Sequence, residues 1–215
     1  MERIAVLDFG GQYNQLIVRR IREAGVYAEL FPADVALDRI KEGLIGIVLT
    51  GGPDSVYGED AKHCDSGVLD LGVPVLGICY GIQWMVHSMG GEVGKAGKPE
   101  FGETKATLFP HPLFEGVGRD VDVWMSHNDS VLSLPEGAVF LAKTENCPIA
   151  AMAHEGKKLY GIQFHPEVEH TQGGQRILEN FLYTICGAKG GWTMGELAEI
   201  FIQDIKAQVG DAKLL

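Results

Sequence analysis

The feature that most restricts the fold of this chain is an alternation, through its first half, of short apolar runs with stretches of helical periodicity. The apolar runs cover residues 4–9, 27–31, 45–49 and 73–78, and a helical stretch covers 12–24. Strands that alternate with helices pair in parallel, because each crossover returns the chain to the edge where the previous strand began. We therefore predict an α/β protein built on a parallel sheet.

In the second half of the sequence the predicted elements follow a different order. Strand-like segments follow one another at closer spacing, at 104–109, 121–125, 138–143, 149–153 and 159–164, before a helical stretch at 172–185. Closely spaced strands favour antiparallel pairing. The predicted fold is an open mixed, mainly parallel sheet with flanking helices, flavodoxin-like, over residues 1–187. A Gly-rich break, GAKGGW at 187–192, then precedes a predicted amphipathic helix at 194–209.

Charge and cysteine content narrow the classes of function. With 29 acidic and 18 basic side chains the net charge is -11, which argues against nucleic acid or an anionic membrane as the partner. No apolar run approaches the roughly 18 residues of a membrane span. The four cysteines form no CxxC pair, and the first residues do not resemble a signal peptide. We expect a reduced, cytoplasmic protein.

Cys79 stands where a nucleophile is expected. It lies between a predicted buried strand and a predicted helix, with Gly77 and Gly81 two residues away on either side. GxCxG is the sulfur counterpart of the nucleophile elbow, in which a tight turn presents the side chain at the carboxyl edge of the sheet. The helix N-terminus there favours a thiolate and supplies N–H donors for an oxyanion. The alternative is a small, inert core cysteine.

His165 is the strongest of seven candidates for a base. The segment GIQFHPE places it just after a strand, before Pro166 and Glu167. A residue that precedes proline is biased towards extended geometry, and residues two apart in an extended chain project to the same side. Glu167 can then orient the imidazole and stabilise its protonated form. Taken alone, the same residues also fit a surface turn.

A Gly-rich segment, TGGPDS at 50–55, directly follows the predicted strand 45–49. Parallel order puts it at the same sheet edge as Cys79, where ligands of open α/β sheets bind. Its backbone can approach a substrate closely and donate an N–H group, or it can hold a phosphate.

GICYGIQ, TGGPDS and GIQFHPE together resemble the class I glutamine amidotransferases, over residues 2–187. Further stretches resemble the GMP synthetase members of that family: LDFGGQYNQLIVRRIRE, VWMSHNDSV, FHPEVEHTQGGQRILENF and the tail from WTMGELAEI. In those enzymes the tail leads into an ATP-pyrophosphatase domain that opens with SGGxDS, a motif that this sequence lacks. The resemblance implies a glutaminase domain at 1–187 and, at 188–215, a linker towards an absent synthetase domain. The chain is then part of a longer protein or a separate subunit.

The resemblance also implies roles for individual residues. Cys79 is the nucleophile, His165 the base and Glu167 its orienting acid. The remaining implied site residues are the oxyanion donors Gly52 and Tyr80, and, for the amino-acid end of L-glutamine, Gln83 with the loop Ser126, His127, Asn128 and Asp129. Asn128 departs from the family's SHGD motif, and Asn is the mildest replacement if that position requires a positive φ.

The implied reaction releases ammonia from L-glutamine through a cysteine thioester and supplies it for the conversion of XMP to GMP. The resemblance implies no metal and no cofactor in this chain, with ATP and Mg²⁺ bound only by the ATP-pyrophosphatase domain or subunit. Two alternatives remain open. A γ-glutamyl hydrolase or cysteine peptidase would share the cysteine and histidine, and a non-catalytic nucleotide-binding module would leave Cys79 inert.

Overall fold

A computed structural model describes residues 1–195 together with residues 202, 205, 206 and 209. Its strands are β1 (Arg3–Asp8), β2 (Ala28–Pro32), β3 (Leu44–Leu49), β4 (Val75–Ile78), β5 (Glu92–Leu108), β6 (Asp120–Ser133), β7 (Val139–Lys143), β8 (Ala151–His154) and β9 (Leu159–Ile162). Its helices are α1 (Asn14–Glu23), α2 (Leu37–Ile40), α3 (Tyr80–Ser88) and α4 (Gly174–Glu179), and α4 continues as a π-helical segment, Asn180–Ile185.

The strands form one mixed sheet in the order β2-β1-β3-β4-β9-β8-β7-β5-β6. Strands β2, β1, β3, β4 and β9 pair in parallel, and the remaining pairs are antiparallel. The predicted fold class is therefore confirmed, with β1 to β4 of the parallel half built by the alternating first part of the sequence and β9 added from the second part. None of the helices in the part of the chain that the structure describes is long and apolar enough to cross a membrane.

The central strands are apolar on both faces because both faces are covered. Ile4 and Val6 of β1 pack with α1 on one face, whereas Ala5 and Leu7 pack with α3 on the other. Burial on two faces explains why β1, β3 and β4 appear as continuous apolar runs in the sequence.

Helix α3 lies unusually close to the sheet. A Cβ atom at Gly77 would stand 2.6 Å from the backbone of Gly81, and one at Gly81 would stand 2.3 Å from the carbonyl oxygen of Leu49. Distances this short exclude any side chain. The two glycines that flank Cys79 are thus required by the packing of helix on sheet.

The largest departure from the predicted elements is the β5–β6 hairpin. The sequence predicts short strands at 104–109 and 121–125, but β5 spans 17 residues and β6 spans 14. The predicted loop at 126–129 was wrong, because these residues continue β6. Polar side chains interrupt the apolar pattern there, yet burial still alternates from Ser126 to Asp129 as in a strand.

The segment after the π-helix stays packed on the domain. Trp192 is 9% exposed, and its backbone N–H donates to the carbonyl of Gly25 at 2.9 Å. Its ring lies against that of Tyr27, with 5.8 Å between the ring centroids. Apart from its first residues and a few single positions, the predicted helix at 194–209 lies outside the described residues.

Candidate active site

Cys79 occupies a strained turn between β4 and α3. Its backbone has φ 54° and ψ −107°, and among the described residues only Lys158 is another non-glycine residue with positive φ. Such a conformation costs energy and persists only where the surrounding packing imposes it. Here the close contacts of Gly77 and Gly81 impose it, so the thiol is held at the carboxyl end of β4, as the elbow pattern predicts.

His165 is fixed by contacts with β6 that the sequence gives no sign of. Its N–H donates to the carbonyl of Trp124 at 3.0 Å, and its own carbonyl accepts from the Thr171 hydroxyl at 2.6 Å. The same hydroxyl accepts the backbone N–H of Trp124 at 3.0 Å. The ring of Tyr13 packs edge-on against the imidazole, with 5.1 Å between the ring centroids. Backbone and ring of His165 are therefore both held in place.

Glu167 lies beside His165 as the HPE spacing predicts. Its Oε1 is 2.7 Å from Nδ1 of His165, and its side chain is fully buried. From α1, Nε of Arg20 donates to the carbonyl of Glu167 at 3.0 Å. The second carboxylate oxygen has no hydrogen-bond partner among the described residues. The carboxylate is thus directed at one ring nitrogen and leaves the other for the thiol.

The pKa of His165 is raised well above its ordinary value. Burial by itself lowers the pKa, but hydrogen bonds to Cys79 and Glu167, together with the charges of both groups, outweigh it. The imidazolium form is therefore favoured. At the other three cysteines burial disfavours the charged thiolate. It raises the pKa of Cys64 and of Cys147 to about 12, and it also raises the pKa of Cys186. Those three thiols stay protonated near neutral pH.

The TGGPDS segment lies against both reactive side chains. A Cβ atom at Gly51 would stand 3.3 Å from Cε1 of His165 and 3.6 Å from Cβ of Cys79. Gly52 lines the same cleft as Tyr80. Tyr80 is the first residue of α3, so its N–H has no acceptor within the helix. Both predicted oxyanion donors therefore line the cleft that contains the thiol.

The four residues Ser126 to Asp129 form one wall of the cleft. Ser126 and Asn128 are exposed, while the alternating His127 and Asp129 are buried. The Cys79 thiol donates to the carbonyl of Ser126 at 3.5 Å. The carboxylate of Asp129 accepts from the hydroxyls of Ser55 and of Tyr57, which joins this wall to the loop after β3.

Two predicted substrate-binding side chains are already engaged within the protein. Gln83 donates its amide to the Asp129 carbonyl at 2.7 Å and to Oε1 of Gln163 at 3.0 Å. His127 has its ring nitrogens 2.9 Å from the Asp129 carbonyl and 3.1 Å from Oε2 of Glu100. Asn128 lies in β6 without a positive φ, so the conformation of this position does not require the family's glycine.

The cleft in front of the thiol has a volume of about 260 Å³. It is lined by Cys79, His165, the loop after β1 and the wall of β6. Among the residues that the structure describes, the lining includes the carboxylates Asp54 and Asp129 but no lysine or arginine. A small substrate with an ammonium group fits this electrostatic character.

Outside the cysteine, histidine and glutamate of the cleft, one group of side chains in the described part of the chain has potential metal-ligand atoms close together. These atoms, from Glu100, His127 and Cys147, all lie within 4.8 Å of one another. Their hydrogen bonds are satisfied by protein groups, since Thr144 donates to Oε1 of Glu100 at 2.7 Å and the Cys147 thiol donates to the Ile149 carbonyl at 3.5 Å. Glu100 and Cys147 therefore each have a hydrogen-bond partner within the protein.

Comparison with known proteins decides the family. The family model described as Glutamine amidotransferase class-I matches residues 5–185. The chain belongs to the class I glutamine amidotransferase family. Cys79, His165 and Glu167 all fall inside the matched residues.

Relatives place the chain more narrowly within the amidotransferases. It is 51% identical over 214 residues to the GMP synthase [glutamine-hydrolyzing] of Clostridium perfringens, covering 99% of this chain and 42% of that protein. It is 52% identical to the enzyme of the same name from Acetivibrio thermocellus, covering 100% and 42%. The chain thus spans about two fifths of the length of these curated relatives.

Solved structures agree with the fold. A Thermoplasma acidophilum protein, described as a candidate GMP synthase subunit, superposes with a TM-score of 0.77 at 34% identity, covering 95% of this chain and 98% of that one. A glutamine amidotransferase from Thermotoga maritima superposes with a TM-score of 0.63 at 20% identity, covering 94% and 86%, which supports the fold alone.

Replacement of Glu167 by Gln should lower the pKa of His165, because one source of its elevation is removed. NMR titration of the His165 ring should show a lower midpoint. A raised native pKa stabilises the fold below the unfolded value of about 6.5, and this contribution is lost as the pH rises through the native pKa. The difference in unfolding free energy between wild type and variant should therefore be largest below the unfolded pKa and should decrease as the pH rises through the native pKa of His165.

Glu155→Gln is the matched control for this titration, since Glu155 pairs with His111 at 2.7 Å, away from the cleft. It should leave the His165 midpoint unchanged. A midpoint that stays constant or rises in Glu167→Gln would contradict the assignment of Glu167 as the partner of His165.

Proposed function

We propose that this chain hydrolyses L-glutamine to glutamate and ammonia, with Cys79 as nucleophile, His165 as acid and base, and Glu167 as its orienting group. The observation that carries the proposal is a strained elbow cysteine that shares one cleft with an imidazole oriented by a buried carboxylate. Membership of the class I glutamine amidotransferases specifies the substrate class that such an arrangement serves.

The first half of the reaction forms a thioester. Sγ of Cys79, which has given its proton to the imidazole of His165, attacks the side-chain amide carbon of glutamine. The resulting oxyanion accepts hydrogen bonds from the N–H groups of Gly52 and Tyr80, each worth about 3 kcal/mol in comparable sites. The carbon–nitrogen bond then breaks as His165 returns its proton to the leaving nitrogen. Ammonia departs and a γ-glutamyl thioester remains on Cys79.

The second half hydrolyses that thioester. His165, now neutral, takes a proton from water as the water oxygen attacks the thioester carbon, and the carbon–sulfur bond breaks to give glutamate and the free cysteine. Throughout, Nδ1–H of His165 donates to Glu167, which keeps the other ring nitrogen directed at the reacting atoms.

The amino-acid end of glutamine is proposed to lie against the wall of β6. Ser126 and Asn128 offer exposed side chains there, and the carboxylate of Asp129 supplies negative charge towards the ammonium group. Gln83 and His127 contribute to this wall through the Asp129 carbonyl that both of them hold.

We further propose that the ammonia serves an ATP-pyrophosphatase domain or subunit that converts XMP to GMP, and that ATP and Mg²⁺ bind to that partner. Support comes from relatives named GMP synthase [glutamine-hydrolyzing], of which this chain matches about two fifths. The proposed setting is the cytoplasm, in line with four cysteines that are all free thiols.

Cys79→Ala should abolish glutamine hydrolysis while the fold is retained, because the change removes the nucleophile and only a small side chain. Loss of a nucleophile lowers turnover by about 10⁶-fold in comparable hydrolases. Ammonia release measures activity and circular dichroism measures folding. The control Cys64→Ala should stay near wild type, and substantial ammonia release by Cys79→Ala would refute the mechanism. If the wild-type chain hydrolysed γ-glutamyl peptides in preference to glutamine, this result would instead support the γ-glutamyl hydrolase alternative.

The glutaminase activity of this chain should rise when the ATP-pyrophosphatase domain of a GMP synthase relative is added with ATP and XMP. Hydrolysis without an acceptor wastes glutamine, so the competent arrangement of the cleft is expected to be a minor state that the loaded partner favours. Ammonia release with partner and nucleotides, partner alone and nucleotides alone separates the contributions. Turnover that is indifferent to all three additions would count against the proposed partner.

A further inference from the structure

The wall of β6 that faces the cleft is interrupted on its outer side. Lys95 of β5 pairs with Asp129, and Glu100 pairs with His127, so residues 96–99 bulge out opposite the single residue Asn128. Bulges commonly occur beside active sites, where they disrupt the ladder of hydrogen bonds. Backbone pairing with β5 is thus irregular at the residues that line the cleft, and other groups must fix their position.

A buried network of side chains supplies this support. The Asp129 carbonyl accepts from Gln83 at 2.7 Å and from Nδ1 of His127 at 2.9 Å, which occupies both of its lone pairs. Nδ1 of His127 also lies 3.3 Å from the hydroxyl oxygen of Ser130. The opposite nitrogen, Nε2, is 3.1 Å from Oε2 of Glu100. The imidazole therefore bridges the wall of the cleft to a carboxylate on the neighbouring strand.

Glu100 is in turn held from a third element. Its Oε1 accepts from the Thr144 hydroxyl at 2.7 Å, and that hydroxyl accepts the N–H of Cys147 at 2.9 Å in the turn after β7. The side chains of His127 and Glu100 are only 2% and 3% exposed. Burying a histidine and a carboxylate is costly unless each is hydrogen-bonded, and a buried pair can serve to fix one arrangement of the chain.

We infer that Glu100 and His127 are positioning residues, which hold the Ser126–Asp129 segment of β6 in the geometry that receives the amino-acid end of the substrate. The inference rests on the proposed glutaminase function. Neither side chain touches the reacting atoms. Their role is exerted through the Asp129 carbonyl, whose residue also holds the loop after β3 by way of Ser55 and Tyr57.

The test measures binding and chemistry separately in Glu100→Gln, His127→Asn and the double variant. Each single variant should raise KM for glutamine about 10-fold and change kcat less than 3-fold, because the wall binds substrate and transition state alike. The double variant should be no worse than the poorer single, since both changes break one network. Thr144→Val, which removes only the support of Glu100, should raise KM about 3-fold.

A second readout does not depend on turnover. A diazoketone analogue of glutamine, which carries the same amino-acid end, should alkylate Cys79 of the wild type in preference to iodoacetamide. The variants should lose about 10-fold of that preference while reacting with iodoacetamide at the wild-type rate. A wild-type protein that prefers the analogue but does not hydrolyse glutamine would contradict the proposed glutaminase function and leave the inference about Glu100 and His127 open to test. The loss of preference in the variants would still measure whether the two residues position the wall.

Asn180→Ala is the control for general destabilisation. Asn180 is buried and donates to the carbonyls of Leu113 and Glu115, away from the cleft, so its removal should lower the melting temperature without raising KM. If His127→Asn fails to fold, KM and the analogue preference of Glu100→Gln and Thr144→Val test the inference without it.

Several results would overturn the inference: KM within twofold of wild type in Glu100→Gln, an unchanged preference for the analogue in the variants, a wild type without that preference, or an equal rise of KM in Asn180→Ala. Treatment of the wild type with EDTA should leave KM and kcat for glutamine unchanged. A loss of activity that Zn²⁺ restores would assign Glu100, His127 and Cys147 to a metal instead.

Discussion

The contact on which the site depends is the close approach of α3 to the sheet. Gly77 and Gly81 leave no room for a Cβ atom, and the chain between them must turn within a single residue of positive φ. That residue is Cys79. The strain is maintained by packing on both sides of the turn, so the thiol is held in place before any substrate binds. A nucleophile on a flexible loop would have to be ordered at each turnover.

Strand β6 is the second organising element, because it contacts His165, the Cys79 thiol and the loop after β3. Trp124 and Thr171 hold the backbone of His165, and the Ser126 carbonyl accepts from the thiol. Asp129 joins the strand to the loop after β3. Cys79 follows a strand of the parallel half of the sheet, whereas the wall of β6 belongs to the antiparallel half. The cleft lies between the carboxyl ends of the parallel strands and the wall of β6.

Sequence reasoning identified the groups whose roles are set locally. The glycines around Cys79 and the two-residue spacing of His165 and Glu167 determine geometry within a few residues, so the pattern was sufficient to predict where they lie. Glu100, Thr171 and Tyr13 were missed because their positions depend on pairing across the sheet or on a helix far away in the sequence. The segment from Ser126 to Asp129 was mistaken for a loop because its polar residues face a cleft and a buried polar network, where the usual apolar alternation does not apply.

The central claim, that ammonia leaves before a γ-glutamyl thioester on Cys79 is hydrolysed, is tested most directly by trapping the acyl group. Hydroxylamine added during turnover competes with water for the thioester. The account predicts that γ-glutamyl hydroxamate appears at the expense of glutamate while ammonia release stays constant. Steady glutamate formation with no hydroxamate at any hydroxylamine concentration would contradict a thioester route.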